Sequence, residues 1–492
     1  MDPTAKASRF ALQAKAVCVV PLTMSLVFLI AINGFGCSGM SRDEIVASTT
    51  ILSILVYVLI LTALFLRSGK IDFVFLFVLV SWPFYFGQQL LSVIGAESSR
   101  TMINIGQLTD DAIFHAGVIT LICVNALCLA YNLYPANYRQ RPVQMHSAER
   151  ETLKKACLAV AIIVLIPTLL TLYRNYSLSA SVGYGTRISD ESLQLSGIDN
   201  IAGIAAQFMP YALLGLFLSR KKGDKWQAVA LLTYIALYIA TGSRTQGFIL
   251  LIAVAVVWTS VFSKKTPLQQ LAAILVVGLA VAFLFSAVSL ARSVADTGNA
   301  VISDMLFQNN PIVDAIQEAG QTFVVLGTVY TNTPQPIPFG EGATYLSGIV
   351  YVLPNGLTGN YYDSVDSVDQ LFASFLTNYG GVGSSFVAEA YYNFGQASIL
   401  IMVVFGLLLG KLQKEYENSL SKGNYFATFA CACCFMICSF YIRSDVRTFI
   451  RNFVWSVGPI LLLGWAIRNR SKPQEQYNSN RKSIRLARNN RV

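Results

Sequence analysis

Arg443, Arg447 and Arg451 stand four residues apart where an apolar run ends. On a continuous helix that spacing lines them along one face. Three stacked guanidinium groups repel one another unless an anion lies among them, and their planar forks fit phosphate and carboxylate oxygens. The anion is either a phosphorylated ligand or a set of acids from a neighbouring segment. Asp296, Asp304, Asp314, Glu318, Glu341, Asp363, Asp366 and Asp369 all fall in one polar stretch and offer such partners. Asp445, the acid nearest in sequence, lies off that face.

Other residues invite the same question. Arg244 sits in the tight turn Thr241-Gly242-Ser243-Arg244-Thr245-Gln246 between two apolar runs, too short to let it wander. It either meets a substrate anion or closes an ion pair. Arg174 and Arg187 flank a segment with Gly183, Gly185, Tyr176 and Tyr184. Glycines with tyrosines suit a sugar contact, and they equally suit an ordinary loop at a membrane surface. Glu389 and Asn393 are four apart and share a helix face at the start of another apolar run. A carboxylate there is expensive unless paired or functional. It reads as a general base, or as a structural partner for Arg244 or the Arg443–Arg451 row.

The elements that must position these residues are membrane helices. The chain of 492 residues is 54% hydrophobic and 13% charged, with a mean hydropathy of +0.54, against about 25% charged in a soluble domain. Apolar runs recur near 16–35, 45–66, 71–95, 112–133, 156–174, 201–219, 226–241, 246–262, 268–290, 386–410, 424–442 and 453–467. Each can cross a hydrocarbon core of about 30 Å, and lipid demands that each satisfy its own backbone. The expected fold is therefore all-α and polytopic, with about twelve transmembrane helices. Residues 1–290 form a bundle of about nine spans, 291–385 a large outer loop with short helices, 386–467 about three further spans, and 468–492 a basic tail.

Charge sets the expected orientation. With both termini cytoplasmic, every lysine falls on the inner side. The outer side then holds nine cations, all arginine: Arg42, Arg100, Arg174, Arg187, Arg244, Arg292, Arg443, Arg447 and Arg451. That is the positive-inside pattern. The basic tail then needs only anionic membrane lipids as its partner, and the net charge of +10 does not require nucleic acid. Eight of the nine cysteines fall in apolar runs, where they read as packing residues. With two histidines in all, His115 and His146, neither a metal site nor a cofactor site is expected.

Residues 291–385 are too long to be an idle connection. Short amphipathic helices are expected within them, for example around 313–325, lying over the outer mouth as a shield against water.

The many-spanning layout with its late outer loop, the Gly242–Thr245 turn, the segment Glu341-Gly342-Ala343-Thr344-Tyr345 and the stretch Ser385 to Gly395 resemble the Wzy-type O-antigen repeat-unit polymerases. Arg174 and Gly185 are spaced similarly to an arginine–glycine motif of that family, and no second copy follows Arg292. The resemblance covers roughly 160–470. It implies a metal-independent inverting glycosyltransferase in the bacterial inner membrane with a periplasmic site. Its substrates would be undecaprenyl-pyrophosphate-linked glycans, and its partners a flippase and a chain-length regulator. On this resemblance Glu389 and Arg244 are the candidate catalytic residues. Arg174, Arg187, Arg443, Arg447, Arg451, Tyr345 and Asn393 are the candidate substrate contacts. The related ligases rely on a histidine in the large loop, and none lies in 291–385. A ligase and a lipid-linked oligosaccharide flippase or transporter are the alternatives.

Overall fold

The computed structural model describes residues 3–96, 103–134, 147–182, 197–221, 223–241, 245–297, 310–353, 355–358, 365–376 and 383–469. The described residues are helical throughout, with no strand among them. Eight helical stretches are long and apolar enough to cross a membrane. Four shorter apolar helices, at Trp226–Ala240, Ile249–Phe262, Pro267–Val281 and Tyr425–Phe440, fall where the remaining four spans are expected.

In chain order the helices are α1 (Pro3–Phe35), α2 (Arg42–Ser68), α3 (Phe73–Val93), α4 (Asp110–Asn132), α5 (Ser147–Val182), α6 (Gly197–Ala206), α7 (Met209–Leu218), α8 (Trp226–Ala240), α9 (Thr245–Val257) and α10 (Pro267–Thr297). Then follow α11 (Pro311–Ala319), α12 (Gln321–Asn332), α13 (Ala343–Val350), α14 (Phe386–Phe394), α15 (Ser398–Lys422), α16 (Tyr425–Phe440) and α17 (Phe449–Asn469). Local chemistry fixes several ends. Ser41 and Glu44 form a capping box that opens α2, while Thr109 and Asn424 cap α4 and α16. Gly69 and Gly423 close α2 and α15 in the left-handed conformation.

The spans alternate in direction. Lys154–Asp224, Lys221–Glu151 and Arg468–Glu149 pair at one end of the bundle, here the tail end. Arg42–Asp110 and the Ser179 hydroxyl on the Thr241 carbonyl join elements at the other, the loop end. α4 lies at the centre, buried along nearly its whole length, with α1, α2 and α15 packed around it.

The long polar segment departs from expectation. α11 is amphipathic, but α12 is buried on every side from Thr322 to Val329, wedged between α3, α4 and α14. It is set into the bundle rather than lying over it. The reason is in its residues: Phe323-Val324-Val325-Leu326 and Val329 leave no polar face to turn to water. The docking is close. A Cβ on Gly87 would stand 2.7 Å from the Ile316 side chain, and one on Gly320 would stand 2.6 Å from Gln88. The Gln88 side chain donates to the carbonyls of Gln317 (2.8 Å) and Ile103 (3.1 Å) and accepts from the Ile105 N–H.

Candidate functional site

At the loop end, three stretches far apart in sequence converge: α13, α14 and the turn Tyr441–Thr448 between α16 and α17. Ser385 caps α14, its hydroxyl accepting from the Ala388 N–H, and the Phe386 N–H donates to the Tyr441 carbonyl at 3.0 Å. This fixes α14 against the end of α16 and turns Glu389 and Asn393 toward α13.

Glu389 is fully buried, and donors reach both of its oxygens. The Thr344 hydroxyl donates to Oε1 at 2.7 Å and the Val446 N–H to Oε2 at 2.9 Å. Asn393 decides the direction of the first bond. Its Nδ2 donates into Thr344 Oγ1 at 2.8 Å, which leaves the hydroxyl proton for Glu389. Its Oδ1 accepts from the Gly342 N–H at 3.0 Å. The Tyr441 hydroxyl lies beside the carboxylate and donates to the Tyr345 hydroxyl at 3.0 Å. Burial first, and the Glu389 carboxylate second, push the Tyr345 phenol well above its ordinary range, so it remains a neutral hydroxyl.

The three arginines do not form a stripe. Between Phe440 and Phe449 the chain makes turns and a short 3₁₀ segment, Val446–Thr448, so helical spacing does not carry across it. Arg447 points inward, donating to Asp445 at 3.1 Å and to the Val365 carbonyl. Burial pushes the Asp445 carboxyl above its ordinary range, and Arg447 beside it acts in the opposite direction. Arg451 lies 3.9 Å over the Tyr351 ring. Arg443 stands 4.0 Å from Glu318 of α11.

Arg443 and Glu318 also mark one side of a cavity of about 740 Å³. Its wall is almost wholly apolar and includes Trp82, Ile252, Trp258 and Leu279. The lining continues to Arg220, beyond the tail end of α7, whose guanidinium lies over the Phe217 and Phe262 rings. The turn Tyr441–Thr448 therefore contributes to two spaces: Val446 closes the polar cluster and Arg443 heads the apolar cavity.

Of the residues singled out in the sequence, Glu389, Asn393 and Tyr345 come together, with Arg447 and Arg443 beside them on the turn. Arg174 lies elsewhere, paired with Asp199 at 3.0 Å. Arg187 and Arg244 lie outside the described residues, as do His146 and Arg100. Sequence reasoning gave no role to Thr344 or Tyr441. Thr344 lies 45 residues from Glu389, and no spacing rule joins them. It also placed Asp445 off the arginine face, whereas Asp445 is Arg447's own partner. No group of histidine, cysteine and acidic side chains able to hold a metal ion occurs among the described residues. His115, although outside the long segment, stacks on Tyr330 of α12 at 5.3 Å and faces Asp111 at 3.3 Å.

Fold and site together define a polytopic helical membrane protein with a polar cluster and an apolar cavity sharing one turn. Residues 17–471, nearly the whole chain, match the family described as O-antigen polysaccharide polymerase Wzy, and the chain belongs to that family. Comparison with curated proteins and with solved structures gave no match.

Proposed function

We propose that this chain joins lipid-carried oligosaccharide repeat units at the loop end of the bundle, on the outer face of a bacterial inner membrane. The observation that carries this reading is the single turn that sets Arg443 at an apolar cavity and Val446 in a polar cluster. A polyprenyl pyrophosphate has the same two parts in the same order, an apolar chain and a charged head bearing sugars. The chain lies in the cavity, the head meets Arg443, and the sugars extend over α13 and α14.

The growing glycan passes from its undecaprenyl pyrophosphate to a hydroxyl at the non-reducing end of a second lipid-linked unit. The acceptor oxygen bonds to C1 of the donor sugar as the bond from C1 to the pyrophosphate breaks, with inversion. The leaving group carries its charge away beside a guanidinium, which stabilises it where it develops. Glu389 acts here as a positioning residue. It ties α14, α13 and the arginine turn into one frame and so fixes the distance between the leaving group and the acceptor. Arg244 and Arg187 are proposed to meet the same head group, and Arg174 the sugars. A flippase and a chain-length regulator work alongside it.

The test is reconstitution of purified protein in vesicles with lipid-linked repeat units alone, without nucleotide sugar. A ladder of glycan lengths is expected, with or without a chelator. An intact protein that builds no ladder refutes the reading. A second reading, a ligase, is favoured by one contact, the stacking of His115 on Tyr330. It predicts glycan moved onto a different lipid acceptor in the same assay.

A further inference from the structure

The segment Glu341-Gly342-Ala343-Thr344-Tyr345 contains a second acid that the cluster around Glu389 leaves unused. Glu341 has φ +48°, the only left-handed residue other than glycine among the described residues. A side chain in that region is disfavoured and persists only where the surroundings hold it. Here they do so at three consecutive positions. The Gly340 N–H donates to the Tyr392 carbonyl at 3.0 Å, the Glu341 N–H to the Asn393 carbonyl at 3.1 Å, and the Gly342 N–H to Asn393 Oδ1 at 3.0 Å. Gly340 is pressed so closely on Tyr392 that a Cβ there would fall 2.4 Å from the ring. The end of α14 thus holds this turn by its backbone and leaves the Glu341 side chain out of the packing.

The outcome is an exposed carboxylate on a rigid base. Among the described residues it has no hydrogen bond and no ion pair. Aromatic rings stand on either side in sequence. Phe339 packs against Tyr391, and Tyr345 lies 5.8 Å from Phe394. Glu389, in contrast, is enclosed with both oxygens occupied, and an acceptor hydroxyl has no approach to it in this arrangement.

We infer that Glu341 is the general base for the acceptor sugar. This rests on the polymerase reading above and adds the residue that takes the proton. As the acceptor oxygen bonds to C1 of the donor, its proton passes to the Glu341 carboxylate, and the electron pair of the breaking bond leaves on the pyrophosphate. The strained turn holds the carboxylate in place before the acceptor arrives. Asn393 is a positioning residue for it.

Three variants test this in the vesicle assay. Glu341→Gln keeps shape and removes the base. Glu341→Gly removes the carboxylate and relieves the left-handed strain, so the variant folds with an unchanged or higher melting temperature. Both are expected to lower kcat by about 10²–10⁴-fold, the range for a general base, with little change in KM. Added formate is expected to restore turnover to Glu341→Gly and Glu341→Ala, where it has room, and not to Glu341→Gln. Near-wild-type kcat in Glu341→Gly overturns the inference. So does a loss confined to KM, or a loss in a folded Glu341→Gly that formate does not restore. A wild-type ladder with an undiminished variant removes this assignment alone, whereas the absence of any wild-type ladder removes the polymerase reading as well.

Discussion

The two ends of the bundle are built from the same kinds of residue and set them in different surroundings. At the tail end Arg67 lies 3.6 Å from Asp72, stacks 4.0 Å over the Tyr131 ring and donates to the Tyr134 carbonyl. Asp72 caps α3 through the Phe75 N–H and accepts from the Tyr131 hydroxyl at 2.6 Å. At the loop end, arginine, acid and tyrosine meet again in Arg447, Asp445, Glu389, Tyr441 and Tyr345. The tail-end set is closed: Arg67 and Asp72 are both buried, and their polar atoms face one another. The loop-end set is buried at its centre but borders open space, with Arg443 on a cavity and Glu341 exposed. Burial and ion pairing alone therefore do not tell the two ends apart. The cavity beside Arg443 and the exposure of Glu341 do.

The sharpest way to break the comparison is to empty the centre of the loop-end frame. Glu389→Ala strands the Thr344 hydroxyl and the Val446 N–H, each buried donor costing about 1–3 kcal/mol. A loss of roughly 2–6 kcal/mol in stability is expected, with elongation abolished. Denaturation in detergent and the glycan ladder read the two effects, and Glu389→Gln should fall between Glu389→Ala and wild type. At the tail end Asp72→Ala removes one partner of a buried pair and is expected to destabilise by about 3–5 kcal/mol. Turnover per folded molecule should be unchanged there, and a fall in that quantity would erase the distinction between the ends. Arg443→Ala should do the reverse: a smaller loss of stability than Asp72→Ala, from the pair with Glu318, and about 10²-fold slower elongation, as when one donor to a developing charge is removed. Arg443→Lys, a point charge without the fork, should recover only part of the rate.

The sequence made the spans legible because lipid acts on each helix separately. An apolar run of sufficient length declares itself without reference to its neighbours, and the twelve runs read from hydropathy all reappear as helices. Glu389 and Asn393 were legible for a similar reason, since i, i+4 spacing is a property of one helix. What failed was reasoning that assumed a continuous helix or a familiar length. The Arg443–Arg451 row spans a break at Ser444-Asp445, and the three guanidinium groups meet three different partners. α12 has too short an apolar run to be read as a span, although Phe323-Val324-Val325-Leu326 and Val329 already leave it without a polar face. Thr344, Tyr441 and the strained turn at Glu341 belong to the site through tertiary contacts, which one chain read by itself does not display.

α12 has a consequence for the order in which the protein comes to exist. Its twelve residues reach about 18 Å, well short of the hydrocarbon thickness, so lipid alone cannot house it with its ends satisfied. It needs α3, α4 and α14 already in place as its walls. α14 is made after α12, so the segment must wait beside the membrane until synthesis has passed it. The loop end around α12 therefore closes only after α14 has been made. A chain that inserted every span but never seated α12 would be full length and membrane-bound, with the packing of its loop end incomplete.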